Sequence, residues 1–490
     1  MTPGLAFFYG GLVGEGAVIS TMMMSFAAMG IVTILWSLVG FSIAFAPNLG
    51  PGVVGDLSYA PMNKIGPYTA PYVNAPTISL YTFSMYQLMF AIITSAIISG
   101  AIVGKMKFTY YCLFTAVWHL AIWCPLAHWV FFPGGWLYQY GTLDYAGGLV
   151  IHVSAGVSAL VLTMWLGGRP HKETTTPHNV PFVLLGTGML WFGWFGFNAG
   201  SALGASYQAS LAFTNTQMGA ACAMVTWNVL EIVFSKRGLL KGRATAVGAA
   251  SGALCGLVGI TPAAGYVDPR WALFIGFFTS CGVFLVPTIM RKLGADDRLD
   301  CFAFHGVGGA IGAALTGLFA NGSYSGSDPA GVLGAASAGP YGSFYGNAVL
   351  LGKQCAAISA TILFSAVGTS VIFWAVWAIG WAAGETIHIA PHKQTNVDEK
   401  LHGEAAYTSR RNLLAMPYSP SLVGMPSPSP QMARISSRAA AADVPPFDLD
   451  APAAAGAAAA GTSIELAPAA AAPAANTAVA VAEAAPPKTA

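Results

Sequence analysis

The amino-acid sequence predicts an all-α polytopic membrane protein with about eleven transmembrane helices, and three observations support this fold class. Of the 490 residues, 55% are hydrophobic and only 8% are charged, whereas about 25% of the residues in a typical soluble domain are charged. Apolar segments recur as far as residue 383, and most reach the roughly 20 residues needed to cross a bilayer. Basic residues cluster in every second connection between these segments.

The apolar segments follow one another with short polar connections. The first segment is too short to cross a bilayer alone, so either the sequence starts inside its first helix or its first element is a partial span. The segments lie at about 1–13, 19–46, 79–104, 109–131, 144–166, 180–199, 207–234, 244–265, 270–290, 302–320 and 347–383.

The distribution of basic residues predicts the orientation of the chain. Cytoplasmic connections carry an excess of Lys and Arg, so the carboxyl end is expected in the cytoplasm. With an odd number of spans, the amino end is then outside. The net charge of +2 is too small to indicate nucleic-acid binding. The basic connections contain Lys105 and Lys107, Arg169 and Lys172, Lys236, Arg237, Lys241 and Arg243, Arg291, Lys292 and Arg298, and Lys393 and Lys400.

Composition divides the chain into three regions. Residues 1–390 contain all of the apolar segments and are predicted to form the transmembrane domain. Residues 391–407 are polar, and we expect them to pack on the cytoplasmic face as a regulatory segment that a cytosolic regulator could contact. Residues 408–490 are rich in Ala and Pro. They cannot bury enough apolar surface to offset their ordering entropy, so a disordered tail is predicted.

The cysteines indicate no metal site or cofactor. Seven cysteines are present, mostly inside apolar segments, and none forms a CxxC pair or has a histidine at zinc-ligand spacing. We interpret them as small buried apolar residues.

Two histidines inside apolar segments are the main candidates for chemistry. His152 follows Asp144 by eight residues, or roughly 12 Å along a helix, so the acid can lie near a membrane face while the histidine lies deep. His305 is a second deep histidine. If the rings meet in a dry lumen, they can share one proton while a small polar molecule passes. Alternatively, each histidine only binds a backbone carbonyl, although an ionisable residue at membrane depth favours a functional role.

The spacing of these histidines predicts an internal repeat. His152 and His305 are 153 residues apart, and each lies on the fifth span of a five-span block. Blocks with an odd number of spans have inverted topology, and in such transporters the substrate path follows the interface between the repeats. The sequence therefore predicts inverted five-helix repeats around a central pore.

Aromatic residues cluster where such a path would open. An aromatic face binds a small cation with about 2 kcal/mol when both are desolvated. The alternative is an ordinary interfacial belt of aromatic residues. Asp144 likewise either caps its helix or attracts cations to the mouth. The aromatic residues are Trp129, Phe131, Phe132 and Trp136, and Trp191, Phe192, Trp194, Phe195 and Phe197.

Several long motifs resemble the signatures of the ammonium transporter (Amt/Mep/Rh) family, and they occur in the same order. They are Met1–Gly11, Asp144–His152, Gly193–Ser201, Gly259–Gly265 and Asp296–Gly306. The resemblance extends to about residue 407 and includes the polar segment at 398–407.

The resemblance implies an eleven-helix protomer in a homotrimer, a channel-like pore in each protomer, and ammonium or ammonia as substrate. We expect the protein in the plasma membrane, with an internal membrane as the alternative. It also implies that the family's first helix begins before Met1, which would make the first helix of this sequence truncated. The departures are Phe131, where many members have a tryptophan, and Thr94, which is aromatic in some bacterial members. By resemblance, Ser201, Phe131 and Asp144 would recruit ammonium, Phe90 and Phe197 would form an aromatic gate, His152 and His305 would share a proton, and Trp194, Thr261 and Ser251 would line or brace the pore.

We therefore expect a transporter, not an enzyme. Ammonium would lose its proton on entry and cross as ammonia, because burying an intact ion costs several kcal/mol. The proton would either follow along the histidines or stay outside. One alternative is an ammonium sensor that signals through its cytoplasmic tail. Another is a haem-bearing oxidoreductase with the two histidines as axial ligands.

Overall fold

The computed structural model describes residues 1–66, 68–169, 176–234, 239–322, 342–345 and 348–407. The predicted tail at 408–490 lies outside the described residues. Within the described ranges the chain is helical, without a β-strand and with only two isolated β-bridges. All contacts given below belong to these ranges.

Eleven helices in the described residues match the eleven predicted segments. Eight of them are long and apolar enough to cross a membrane. The other three, α1, α7 and α8, are shorter or more polar. The fold class predicted from the sequence is confirmed. The helices are α1 Thr2–Leu12, α2 Glu15–Phe45, α3 Leu80–Ile102, α4 Phe108–Tyr140 with a break at 132–135, α5 Gly148–Leu166, α6 Val180–Ala202, α7 Tyr207–Val233, α8 Ala246–Ile260, α9 Pro269–Lys292, α10 Phe302–Phe319 and α11 Ala348–Ala382.

Side-chain caps define where several helices begin. Ser79 accepts a hydrogen bond from the Thr82 amide at the start of α3. At the starts of α6 and α8, Asn179 and Thr245 likewise accept from the amide three residues further along the chain. Such caps satisfy backbone N–H groups that lack a partner in the first helical turn. The local sequence therefore fixes helix starts that the apolar pattern alone places only approximately.

Glycines bring α5 and α10 into contact. A Cβ atom on Gly156 in α5 would overlap the backbone of Gly306 in α10. Nearby, a Cβ on Gly309 would lie 2.9 Å from both Gly148 O and His152 Cβ. In lipid, where no hydrophobic force drives helices together, small residues allow such close approach. These glycines place the two histidine-bearing helices side by side.

Both candidate histidines lie in π-helical segments. His152 is in Gly148–Val153 at the start of α5, and His305 is in Phe302–Val307 at the start of α10. A π-helical turn contains an extra residue and is frequent at functional sites. It changes the direction in which the following side chains leave the helix, which the predicted 3.6-residue period does not anticipate.

Candidate functional site

The two buried histidines contact each other directly. His305 Nδ1 and His152 Nδ1 are 3.2 Å apart, and their rings are inclined by 25°. The side chains are only 2% and 1% exposed. Two Nδ1 atoms form a hydrogen bond only if one carries a proton and the other accepts it. The pair therefore holds one proton at its contact and leaves no space for a metal ion between the rings, which argues against the haem hypothesis.

A narrow cavity adjoins the histidine pair. Its volume is about 10 Å³, roughly the smallest space that holds one water molecule. His152 Nε2 is buried there and has no hydrogen-bond partner among the described residues. Apart from the two histidines, mostly apolar side chains form the wall, including Leu5, Ile93, Ile97, Trp194, Phe197 and Leu254. The space thus fits a molecule of about the size of ammonia and offers it one free imidazole nitrogen.

Trp194 forms one wall of this narrow cavity. Its ring stacks on His152 at 5.4 Å between centroids. Its Nε1 donates to Thr261 Oγ1 at 2.9 Å, which fixes the orientation of the indole. Ser251, the third residue of this predicted group, is partly buried on α8 and does not line the cavity.

Phe90 and Phe197 separate the narrow cavity from a larger one. Their rings stack at 4.4 Å between centroids with an angle of 26°. Phe90 lines the larger cavity, whereas Phe197 lines the narrow one and lies 6.1 Å from the His152 ring. The stacked rings therefore lie between the two cavities.

The larger cavity brings together the residues predicted to recruit ammonium. It has a volume of about 700 Å³, and Phe131, Asp144 and Ser201 are in its wall. Ser201 Oγ donates to Phe197 O at 2.9 Å. Thr94 lies outside both cavities, and its hydroxyl donates to Phe90 O and accepts from Trp123 Nε1. Thr94 thus connects Phe90 of the aromatic gate to Trp123 on α4.

Tyr86 is a residue of this site that sequence reasoning missed. Its hydroxyl donates to Phe197 O at 2.7 Å and lies 3.0 Å from Ser201 Oγ. Its ring packs edge-on against Phe90 at 4.9 Å. Tyr86 precedes Phe90 by one helical turn, and residues four apart share a helix face. The four-residue spacing from Phe90 could therefore have identified Tyr86 as a neighbour of the gate.

Asp144 both caps α5 and faces the larger cavity. Its carboxylate accepts hydrogen bonds from four backbone amides, those of Gly147, Gly148, Leu149 and Val150. Burial raises the pKa of Asp144 to about 6, although the four amide donors act in the opposite direction. The capping and cation-attracting roles are therefore geometrically compatible.

Comparison with known proteins identifies the family of this chain. A model described as the Ammonium Transporter Family matches residues 1–407. The chain belongs to the ammonium transporter family. It is 42% identical over 414 residues to an ammonium transporter of Bacillus subtilis (strain 168), a match that covers 83% of this chain and 95% of the relative.

Solved structures of ammonium transporter family members have the same architecture. Saccharomyces cerevisiae Mep2 matches with a TM-score of 0.68 and 35% identity, over 76% of this chain and 80% of Mep2. A structure described as a Sensor Amt Protein also matches with a TM-score of 0.68, at 26% identity, over 81% of this chain and 92% of that protein. The predicted family is thus confirmed by sequence and by fold.

Proposed function

We propose that this chain is an ammonium transporter that conducts ammonia through a pore in each protomer. The observation that carries this proposal is the contact between His152 and His305 next to the stacked rings of Phe90 and Phe197. The family match and the names of the relatives support the substrate. They also support a transport protein over an enzyme.

Ammonium is first recruited in the larger cavity. The Asp144 carboxylate attracts the cation through its charge, and the aromatic rings of Phe131 and Tyr86 face the same space. Ser201 Oγ offers a hydrogen-bond acceptor at the wall. Phe131 is a weaker cation–π partner than tryptophan, so we expect this site to bind ammonium less tightly than that of a member with tryptophan.

The cation then loses its proton at the gate, where the unpartnered His152 Nε2 is the acceptor. An intact ion in the narrow apolar cavity would lose its hydration at a cost of several kcal/mol, whereas neutral ammonia would not. Ammonia passes His152 and His305, which offer one unpartnered nitrogen and one shared proton. We propose that the proton follows along this pair, so that transport moves net charge.

We further propose the setting of this pore. Residues 1–390 form the transmembrane domain, the larger cavity faces outside, and the carboxyl end lies in the cytoplasm of a plasma-membrane homotrimer. Basic connections support the orientation. Protease access to residues 391–407 from each side of the membrane and chemical cross-linking of the purified protein test orientation and assembly.

Residues 391–407 are proposed to be the regulatory segment. Asp398 accepts hydrogen bonds from the amides of Ile19 and Ser20 at the start of α2, and the Tyr407 hydroxyl lies 2.9 Å from His178 Nε2. These contacts connect the segment to α2 and to the residues that precede α6. They and the similarity to a Sensor Amt Protein favour an ammonium sensor as the second candidate function.

Uptake of isotope-labelled ammonium in cells without other ammonium carriers tests the proposal. The wild-type protein should restore uptake, and His152→Ala should abolish most of it at equal abundance in the membrane. His388→Ala, a partly exposed histidine outside the spans, is the matched control. Normal uptake by His152→Ala would contradict the pore role, whereas ammonium binding without any uptake by the wild type would favour the sensor.

A further inference from the structure

Gln354 is a fully buried polar residue in the apolar helix α11. Its side chain is 0% exposed, and a polar group at membrane depth is costly unless it has partners. Gln354 Oε1 accepts from Leu143 N at 2.8 Å, and Nε2 donates to Leu143 O at 2.7 Å and to Ala313 O at 3.1 Å. Both amide protons and the carbonyl oxygen are therefore used.

These three bonds determine which way the amide faces. The Leu143 N–H requires an acceptor, whereas the carbonyls of Leu143 and Ala313 require donors. Exchanging the amide oxygen and nitrogen of Gln354 would place oxygen against two carbonyl oxygens, so only one orientation satisfies all partners. The side chain thereby fixes the backbone of Leu143 through both its N–H and its C=O.

The Leu143 backbone has no helical partners of its own. It lies between α4 and α5 in a segment without regular structure, where buried N–H and C=O groups need partners from elsewhere. On the other side of Asp144, the Tyr145 amide donates to Pro262 O at 3.1 Å. Asp144 therefore lies between two residues whose backbones are anchored to other parts of the bundle.

The third bond extends this anchor to the histidine pair. Ala313 is in α10, the helix that begins with the π-helical segment of His305. One side chain thus connects the backbone before Asp144, which lines the larger cavity, with the helix that carries His305. It contacts neither cavity itself.

We propose that Gln354 is a positioning residue that holds the Asp144 carboxylate at the cavity wall and so sets the affinity for ammonium. This inference rests on the proposed transport function. Gln354 acts through Leu143 and Asp144 and does not contact the substrate. Its removal should therefore change the half-saturating concentration of ammonium more than the maximal rate.

The first test is Gln354→Leu, which keeps the approximate volume and removes all three hydrogen bonds. We expect the half-saturating ammonium concentration for labelled uptake to rise about tenfold, the lower end of the loss seen when residues that orient metal ligands are removed. Thr361→Val is the matched control. Thr361 is equally buried in the same helix, and its hydroxyl has no hydrogen-bond partner in the described part of the chain.

The second test, Gln354→Glu, separates positioning from space filling and also applies if Gln354→Leu fails to reach the membrane. A protonated glutamic acid still donates to one carbonyl and accepts from the Leu143 amide, whereas an ionised one faces two carbonyls with negative oxygens. Uptake by Gln354→Glu, divided by wild-type uptake at the same pH, should therefore fall as pH rises from about 5 to about 8, the range in which buried glutamates ionise.

The outcomes distinguish this inference from the proposed function. A wild-type protein without ammonium uptake would overturn the transport function itself. With normal wild-type uptake, the positioning role is overturned by an unchanged half-saturating concentration in Gln354→Leu, by a fall in maximal uptake alone, or by a Gln354→Glu ratio that does not vary with pH.

Discussion

Replacing Asp144 with asparagine is the most direct perturbation of the larger cavity. The substitution changes one carboxylate oxygen into an NH₂ group and removes the charge, with almost no change in volume. In the wild type, Oδ1 accepts from Gly147 and Gly148, and Oδ2 accepts from Leu149 and Val150. Whichever way the new amide turns, two backbone N–H donors face another donor.

The structure gives the size of this effect. A hydrogen bond to a charged group contributes about 1.5–3 kcal/mol, so losing two of them costs roughly 3–6 kcal/mol. Asparagine remains a good N-cap through its other oxygen, which favours the lower end, about 3 kcal/mol. Since every 1.4 kcal/mol corresponds to a factor of ten in an equilibrium constant, the constant for ordering the start of α5 should fall by about a hundredfold, and uptake that needs this carboxylate at the cavity wall should fall as well. Asp144 is 6% exposed, so solvent screens its charged hydrogen bonds only slightly.

Initial uptake of labelled ammonium over a range of concentrations measures the effect. Membrane abundance is measured in parallel, so that loss of protein is not mistaken for loss of activity. Asp268→Asn is the control, because Asp268 is also an acid at the start of a helix, where it accepts from the Arg270 amide, and it lies outside the two cavities. Wild-type uptake by Asp144→Asn at equal abundance would refute the reasoning that this carboxylate both recruits the cation and orders the start of α5.

Two further substitutions test the site and its surroundings. Tyr86→Phe keeps the ring against Phe90 and removes the hydroxyl that binds Phe197 O. Loss of one hydrogen bond of about 1 kcal/mol should raise the half-saturating ammonium concentration roughly fivefold in the uptake assay. An unchanged value would show that the hydroxyl has no part in recruitment. Burial and the nearby Asp297 raise the pKa of Asp300 to about 7 despite its ion pair with Arg291. The contribution of Asp300 to stability is therefore fully present below the unfolded pKa of about 4. It is lost as pH rises towards 7, by at most about 4 kcal/mol. Thermal unfolding of purified Asp300→Asn should therefore depend less on pH between about 4 and 7 than that of the wild type, and identical pH profiles would contradict this assignment.

The histidine pair shows what the sequence could predict and what it could not. A histidine in an apolar segment signals a buried functional group, and both residues were predicted on that basis. Their contact depends on Gly156 lying against Gly306. Glycines are common throughout the spans, and no pattern within one span indicates which glycine of another span it meets.

Tyr86 and Gln354 were missed for different physical reasons. A tyrosine near the end of a span is ordinary at a membrane interface, so Tyr86 did not stand out without knowledge of the gate beside it. Gln354 lies near the start of a long apolar helix, and its partners are backbone groups 211 and 41 residues away. Hydrogen bonds to backbone groups leave no trace in the identity of the partner residue, so sequence alone could not reveal them.

The two histidine helices begin alike, but the acids that precede them have different surroundings. Asp297 precedes His305 by eight residues, as Asp144 precedes His152, and Asp297 accepts a hydrogen bond from the Phe302 amide at the start of α10. Burial raises the pKa of Asp297, and the backbone amides of Phe302 and Cys301 and then the buried Lys105 act in the opposite direction. Burial lowers the pKa of Lys105 to about 8, so this lysine still carries its charge at neutral pH.

This lysine gives the two ends of the path different electrostatics. The Asp144 carboxylate is held by uncharged backbone amides, so its negative charge remains available to a cation in the larger cavity. At the other end, the buried Lys105 donates to the Asp296 backbone carbonyl, and Arg169 forms an ion pair with the Asp296 carboxylate. Among the described residues Asp144 has no cationic partner and lies in the wall of the larger cavity, which supports the proposal that ammonium is recruited at that end.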